Sequence, residues 1–308
     1  MQEKYTDNLI DNTLTSKYIF YILRGMRYTL KDFKTEYPDD EACLKAVLDN
    51  RYGTTCPKCG VINTKFYPIT GRKAFACLHC RKHIYPLADT IFRKSETSLW
   101  NWFYAIFQFS VSKNGVSAKE LERTLGVTYK TAWRMCRQIR LLMKANVGKL
   151  GGEVEIDETF IGGKPKAHVA RRVQKQKQVV LGMVERNGLI RAQHIKGTGS
   201  RSIIPEVKRA VYRKTPIFTD EYAVYKALPK FGHPHEAVQH SKLEYGRGNV
   251  STNTIEGFWS QMKRSMDGTY HSVSPKYLQS YVNEFVFRYN LRGLPICPIL
   301  LERAVKLS

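Results

Sequence analysis

The chain has 308 residues, of which 43% are hydrophobic and 12% aromatic; this excludes a charged disordered polymer and allows at least one sizeable core. A formal net charge of +23 predicts an anionic partner, and nucleic acid is the first candidate. We expect no membrane partner, because the most apolar stretch, Leu99 to Phe109, is shorter than the roughly 20 residues of a membrane span. The N-terminus lacks the order of a signal peptide, which predicts an intracellular protein, cytoplasmic and nucleoid-associated if bacterial.

Residues 1–36 are interpreted as an N-terminal helical segment with little other signal. From Tyr37 the pattern sharpens, because Pro38 is followed by acidic residues and then by apolar residues at helical spacing. Gly53 stops that pattern. These features predict a helix between Tyr37 and Gly53.

Four cysteines form two C-x2-C pairs separated by 17 residues. They are Cys56, Cys59, Cys77 and Cys80. Two such knuckles can close one tetrahedral thiolate site, which predicts a zinc ribbon with one structural Zn2+ over residues 37–95. A redox pair or a coincidental spacing is the alternative. Gly60 and Arg81 lie where each knuckle must turn, and a closed site predicts that the metal stabilises the fold and takes no part in catalysis.

Residues 96–150 have the pattern of a helix-turn-helix. Ser117 and Glu120 form a capping box, Gly126 ends the first helix, and Thr128 caps the second. The second predicted helix carries a basic stripe along one side. Its residues are Lys130, Arg134, Arg137 and Lys144. This combination predicts docking into a DNA groove; the solvated face of an amphipathic helix is the alternative.

Residues 151–308 change to a strand-like pattern. The predicted elements are a strand Val154–Asp157, a hairpin of Val179–Glu185 and Leu189–Ile195 turning at Asn187-Gly188, a helix over 202–213 capped by Ser202, a strand Ile217–Thr219, a helix Tyr222–Leu228, a strand near 237–239 and a helix over 252–266. This order predicts an RNase H-like α/β catalytic domain. The whole chain is therefore expected to be a multidomain α+β protein.

Three acids stand out in this basic chain. Asp157 and Asp220 close two predicted strands, and Glu256 lies on the last predicted helix. Two strand ends and a helix that deliver one carboxylate each can hold divalent cations for phosphoryl transfer. Glu256 shares a helix face with Lys263, which could hold a phosphate beside the metals. The neighbouring Glu158 and Glu221 are interpreted as cap or turn residues.

The ribbon, the helix-turn-helix and the motifs Glu155-Ile-Asp157-Glu, Phe218-Thr-Asp220-Glu and Asn253-Thr-Ile-Glu256-Gly-Phe-Trp together resemble a DDE transposase. The similar family is that of bacterial insertion sequences with an N-terminal zinc ribbon, relatives of the Merlin elements, over roughly residues 37–292. The resemblance implies a triad of Asp157, Asp220 and Glu256 that binds Mg2+ or Mn2+. Asn253 is a rival third position, but the Lys263 seven residues after Glu256 favours the glutamate.

The resemblance also implies binding of double-stranded DNA, both terminal inverted repeats and target DNA, by a homodimer or a larger synaptic assembly. The segment from Lys164 to Lys177 contains six Lys or Arg residues and no acid. We expect this insertion to contact the DNA backbone, and we expect the same of Lys263 and Arg264. Two alternatives stay open. One is an RNase H-like nuclease without strand transfer, and the other is a non-catalytic zinc-ribbon and helix-turn-helix regulator.

Overall fold

The computed structural model describes residues 28–144, 146–162, 177–239, 241 and 246–306. These residues divide into two compact units at Leu142 and Arg292. The sheet unit comprises the described residues of Met143–Arg292, and the ribbon unit comprises those up to Leu142 together with those from Gly293 onward. The basic insertion predicted over Lys164–Lys177 lies outside the described residues except for Lys177.

The ribbon unit begins with two helices, α1 (Leu30–Glu36) and α2 (Asp40–Tyr52). The Asp39 side chain accepts the backbone N–H of Ala42 at 2.8 Å and so starts α2, because the first N–H groups of a helix have no partner inside it. Gly53 ends α2 with a φ of 54°. The helix predicted from the acidic start and the glycine stop is therefore confirmed.

Three short strands form the ribbon itself. They are β1 (Phe66–Pro68), β2 (Phe75–Cys77) and β3 (His83–Ile84), which pair antiparallel in the order β1-β2-β3. Their buried side chains pack with Leu48 of α2 in a small core that also contains Cys56 and Cys77. The third strand had no sequence signal, because two residues are too few to show an alternating pattern.

The helix-turn-helix follows helix α3 (Leu99–Val111) and comprises α4 (Ala118–Leu125) and α5 (Tyr129–Leu142). The Ser117 side chain accepts from the Glu120 N–H at 3.1 Å, Gly126 is left-handed, and Thr128 accepts from the Thr131 N–H at 3.3 Å. Both helix starts and the turn agree with the sequence pattern.

Helix α9 (Ile296–Lys306) lies at the end of the described chain and packs against α2, α3 and α5. It therefore belongs to the ribbon unit, although the sequence pattern predicted a single domain over residues 151–308. Eight of its side chains are buried, including Leu300 and Ala304 at 0% exposure. An apolar helix buries its surface where a complementary face exists, and adjacency along the chain does not identify that face.

The sheet unit contains five strands in the order β6-β5-β4-β7-β8. Antiparallel pairing joins β4 (Val154–Ile161), β5 (Gln178–Glu185) and β6 (Ile190–Ile195), whereas β7 (Ile217–Thr219) and β8 (His235–Ala237) continue parallel from β4. Asn187, with a φ of 58°, makes the predicted hairpin turn. Three antiparallel strands followed by two parallel ones are the RNase H-like arrangement expected from the element order.

Several bounds differ from the prediction. Strand β4 runs four residues beyond Asp157, because its partner β5 continues to pair with it as far as Ile161. Helix α6 (Ser200–Ala210) begins after Gly199 without a side-chain cap, so Ser202 is not its N-cap. The segment Ala223–Phe231 is a 3-10 helix.

Two long helices cover one face of the sheet. Helix α7 (Asn253–Ser265) follows the hairpin of β9 (Gly246–Arg247) and β10 (Val250–Ser251), continues as a π-helical turn Met266–Tyr270, and is followed by α8 (Pro275–Asn290). Apolar side chains of both helices pack on β5 and β6 in one buried cluster. Among the described helices, none has the length and apolarity required to cross a membrane.

Candidate metal centre and active site

The four cysteines of the ribbon meet at one point. Their sulfur atoms all lie within 4.8 Å of one another, and the Cys56 and Cys80 sulfurs are 3.9 Å apart. A tetrahedral Zn2+ with Zn–S bonds of about 2.3 Å separates its sulfurs by roughly 3.8 Å. The four thiols therefore fit one zinc ion.

The two knuckles have the same turn. Gly60 and Arg81 both adopt positive φ, and their N–H groups donate to the carbonyls of Cys56 and Cys77, each at 2.9 Å. The Cys80 N–H and the Thr64 hydroxyl stabilise the Cys77 thiolate and lower the pKa of that thiol to about 6. The turn positions predicted from the sequence are confirmed.

Asp157 lies on β4, and Asp220 directly follows Thr219, the last residue of the neighbouring strand β7. Strands β4 and β7 are parallel with Glu155 beside Phe218. The negative charge of Asp220 raises the pKa of Asp157, so the two carboxylates lie near each other. Asp157 itself pairs with Gly182 of β5. The expectation that Asp157 ends its strand is wrong; it marks the point at which the parallel partner β7 ends.

The surroundings of Asp157 disfavour its charged form. Burial first, and then the negative charges of Glu158 and Asp220, raise the pKa of Asp157 to about 7. Among the described residues Asp157 makes no ion pair. The indole N–H of Trp259, on α7, donates to its Oδ2 at 3.0 Å. A crowded carboxylate pair of this kind is stabilised by a hard divalent cation.

Gly182 makes room for that hydrogen bond. A methyl group on Gly182 would lie 2.4 Å from the Trp259 ring and 2.8 Å from the Ile255 side chain. Only a residue without a side chain lets the indole lie close against the sheet at this point. The packing of α7 is thereby coupled to the orientation of Asp157.

Glu256 lies in the first turn of α7, and its side chain is exposed. The Thr252 hydroxyl donates to its Oε1 at 2.7 Å. Asn253, Ser260 and Lys263 are exposed as well, so the predicted polar face of the helix exists. Within the described part of the chain, however, only the cysteine cluster gathers three or more ligand atoms within 4.8 Å. The three acids do not approach one another that closely.

Glu158 differs from its interpretation as a cap or turn residue. It lies inside β4, and the Tyr225 hydroxyl, which is fully buried, donates to its carboxylate. Burial and the charge of Asp220 raise the pKa of Glu158. Glu221, in contrast, accepts hydrogen bonds from Ser241 on the surface. Sequence reasoning missed Glu158 because nothing local indicated Tyr225 as its partner.

Glu155 is a second residue that sequence reasoning missed. Its side chain is 1% exposed, and its Oε2 accepts the backbone N–H groups of Thr254 and Ile255 at 2.8 and 3.0 Å. Its Oε1 accepts the Thr254 hydroxyl at 3.0 Å and Arg186 Nε at 2.9 Å. An acid within a predicted strand of this basic chain was the available signal. Its partners on α7 lie about one hundred residues away, and Arg186 lies 31 residues away.

The predicted DNA-contacting residues differ in their surroundings. Lys130 and Arg137 are exposed on α5, and Lys263 and Arg264 are exposed on α7. Arg134 is half-buried: it donates to the Arg93 carbonyl at 3.0 Å and lies over the Trp102 ring. Lys164 lies outside the described residues. The basic stripe is therefore not uniform, since one of its members binds its own fold.

Two family models and one relative match this chain. Residues 149–290 match a family described as the ISXO2-like transposase domain, and residues 38–83 match a transposase zinc-ribbon domain. The chain is 27% identical over 290 residues to an uncharacterized protein in transposable element ISH50 of Halobacterium salinarum, covering 86% of this chain and 96% of that protein. A chain in a simian T-cell lymphotropic virus intasome bound to PP2A regulatory subunit B56 gamma matches with a TM-score of 0.29 and 12% identity, over 59% of this chain and 66%, just under two thirds, of that chain.

Proposed function

We propose that this chain, which belongs to the DDE transposases of insertion sequences with an N-terminal zinc ribbon, binds the terminal inverted repeats of its element and catalyses strand cleavage and strand transfer. One observation supports the catalytic part most strongly. Asp157 is a crowded carboxylate beside Asp220, and it is hydrogen-bonded to the helix that carries Glu256. The proposal assigns the chemistry to these three acids.

Asp157, Asp220 and Glu256 would hold divalent cations, Mg2+ or Mn2+, which when bound supply activation of water and of a DNA 3′-hydroxyl for in-line attack on phosphorus. Their oxygen donors suit hard cations. Trp259 orients the Asp157 carboxylate through its indole N–H. Lys263 projects from the exposed face that also bears Glu256 and binds a phosphate of the scissile strand.

Recognition of the element's ends is assigned to the ribbon and the helix-turn-helix, with Lys130 and Arg137 facing DNA. The basic insertion that starts at Lys164, together with Lys263 and Arg264, supplies backbone contacts, consistent with the net charge of +23. Because two ends must be joined to one target, the active form is a dimer or a larger synaptic assembly.

The test uses the full chain with DNA that carries the element's end. We expect Asp157→Asn, Asp220→Asn and Glu256→Gln each to reduce Mg2+-dependent cleavage to background and to leave end binding intact, because only cation ligands are lost. Asn253→Ala is the matched control from the same helix turn and should cleave normally. Substantial cleavage by any of the three acid variants contradicts the assignment.

Strand transfer is tested separately with a pre-cut end and a target plasmid. Joining of the 3′-end to the target in Mg2+ is the expected result. Cleavage without any joining would identify the chain as an RNase H-like nuclease, and binding without either reaction would identify a DNA-binding regulator.

A further inference from the structure

The first turn of α7 has no local cap. Thr252 is the N-cap residue, but its hydroxyl donates to Glu256 and accepts no backbone N–H. The first N–H groups of a helix need an acceptor from outside it. Glu155 supplies that acceptor from strand β4 and binds the N–H groups of Thr254 and Ile255. The helix therefore starts at a point fixed by a carboxylate two residues before Asp157.

Arg186 extends this contact to the segment in front of the helix. Its Nε donates to Glu155, and its terminal nitrogens donate to the carbonyls of Asn249 and Ser251 at 2.6 and 3.0 Å. The guanidinium also lies 4.3 Å from the centre of the Phe218 ring. A planar fork with five donors suits such a junction, and the ammonium of a lysine does not.

The Glu155–Arg186 pair includes or contacts a residue that lies one or two positions before each of the three proposed metal ligands. Glu155 lies two residues before Asp157, Phe218 lies two residues before Asp220, and Ile255 directly precedes Glu256. The Arg186 side chain is 15% exposed and that of Glu155 is 1% exposed, so water competes little with these bonds. Each acid-bearing element thus has an anchor at the same buried ion pair.

We propose that the Glu155–Arg186 pair is a positioning device that sets the separation of Glu256 from Asp157 and Asp220, and thereby the affinity for the divalent cation. This inference rests on the proposed function. Neither residue touches substrate or metal. Residues that orient metal ligands from outside the coordination sphere typically change metal affinity by about 10–100-fold when they are replaced.

Glu155→Gln is the most informative change, because it keeps the size of the side chain and removes one acceptor. An amide must turn its NH2 group either toward the N–H groups of α7 or toward Arg186, and both are donors. We expect Mn2+, used as the probe and followed by electron paramagnetic resonance, to bind the full chain at least about tenfold more weakly. Hydrogen exchange should become faster in the peptide that contains Thr254 and Ile255.

Two comparisons keep this test specific. Glu185→Gln changes a carboxylate that is adjacent to Arg186 and lies beside Gly152 and Gly188, and we expect it to bind Mn2+ as the original chain does. Glu155→Asp keeps the charge but retracts it, and should restore part of the affinity. If Glu155→Gln fails to fold, Glu155→Asp and Arg186→Lys replace it, and both should weaken Mn2+ binding.

The outcomes separate this inference from the proposed function. Unchanged Mn2+ affinity in folded Glu155 and Arg186 variants, with binding lost in Asp157→Asn, overturns the positioning role alone. If Asp157→Asn and Glu256→Gln also bind Mn2+ normally, the proposed catalytic metal site itself is wrong. The preference for end DNA over random DNA, measured without added divalent cation, should be the same in every variant, because recognition of the ends is assigned to the ribbon unit.

Discussion

The four-cysteine zinc site and the proposed divalent-cation site are of opposite construction. The ribbon site takes its ligands from two short knuckles between Cys56 and Cys80, each closed by its own backbone hydrogen bond. The proposed active site takes its ligands from two strands and a helix, between Asp157 and Glu256. The first needs only local turns, whereas the second depends on residues that hold the elements together. The difference predicts that distant packing changes will disturb the second site and leave the first intact.

The largest effect is expected from Cys77→Ser, which removes a zinc ligand. Binding of a structural zinc contributes roughly 10–16 kcal/mol in small zinc modules, so the ribbon should unfold and zinc content should fall from about one ion per chain to none. Hydrogen exchange should rise across residues 54–90, and the strands of the sheet unit should stay protected.

His79→Ala is the control for this change, because His79 is exposed between two of the ligands and should not contribute a bond. It should retain its zinc. A protein with Cys77→Ser that keeps a folded ribbon without zinc would refute the closed four-cysteine site.

Gly182→Ala should weaken cation binding at the proposed active site, although Gly182 is not one of the proposed ligands. Its methyl group would overlap Trp259 and Ile255, so α7 must shift away from Asp157, at a cost of about 2–3 kcal/mol of overpacking. We expect a lower free energy of unfolding and weaker Mn2+ binding, with unchanged zinc content. Gly257→Ala is the matched control: nothing lies within 4 Å of its added methyl group, and it should stabilise the helix slightly.

Asp157→Asn should change how the free energy of unfolding depends on pH. Burial and the neighbouring carboxylates raise the pKa of Asp157 to about 7, above that of the unfolded chain. The folded state therefore holds a proton that the unfolded state releases, and the charged carboxylate destabilises the fold increasingly as the pH rises from about 4 to 7. Without divalent cations, the asparagine should raise the free energy of unfolding by about 1–2 kcal/mol at pH 8, after allowance for solvent screening.

The same variant provides its own control at acid pH. Below about pH 4 both states hold the proton, so asparagine and aspartic acid should differ little in denaturant midpoint. A gain that is equal at pH 4 and pH 8 would show that packing, and not charge, is responsible. Mn2+ binding to the original chain should weaken as the pH falls below 7, because a proton competes for Asp157.

The smallest effects are expected on the recognition helix. Lys130→Ala and Arg137→Ala should narrow the difference in binding free energy between end DNA and random DNA by about 1 kcal/mol each. Arg134→Ala should instead lower the melting temperature of the protein, since Arg134 binds the Arg93 carbonyl and Trp102. Competition binding at two salt concentrations measures the first effect. An equal loss of affinity for end DNA and random DNA would show that α5 contacts only the DNA backbone.

Local sequence patterns were sufficient to predict the features whose partners are close along the chain. The cysteine knuckles, the caps Ser117 and Thr128, the left-handed Gly126 and the Asn187-Gly188 turn are all where the local patterns predicted them. Each depends on hydrogen bonds or φ values within a few residues. The order of the strands along the chain was also predictable, because an alternating apolar pattern indicates a strand regardless of which strand it pairs with.

The contacts that hold the acids became visible in the folded protein and not in the sequence. That Glu155 caps a helix from a strand, that Gly182 admits Trp259 to Asp157, and that Arg134 binds its own fold all depend on pairs far apart in sequence. A buried carboxylate keeps its charge only if hydrogen-bond donors surround it. No local sequence pattern identifies which distant residues supply those donors. The sequence therefore predicted which acids to consider as cation ligands, and it did not predict the contacts that hold them.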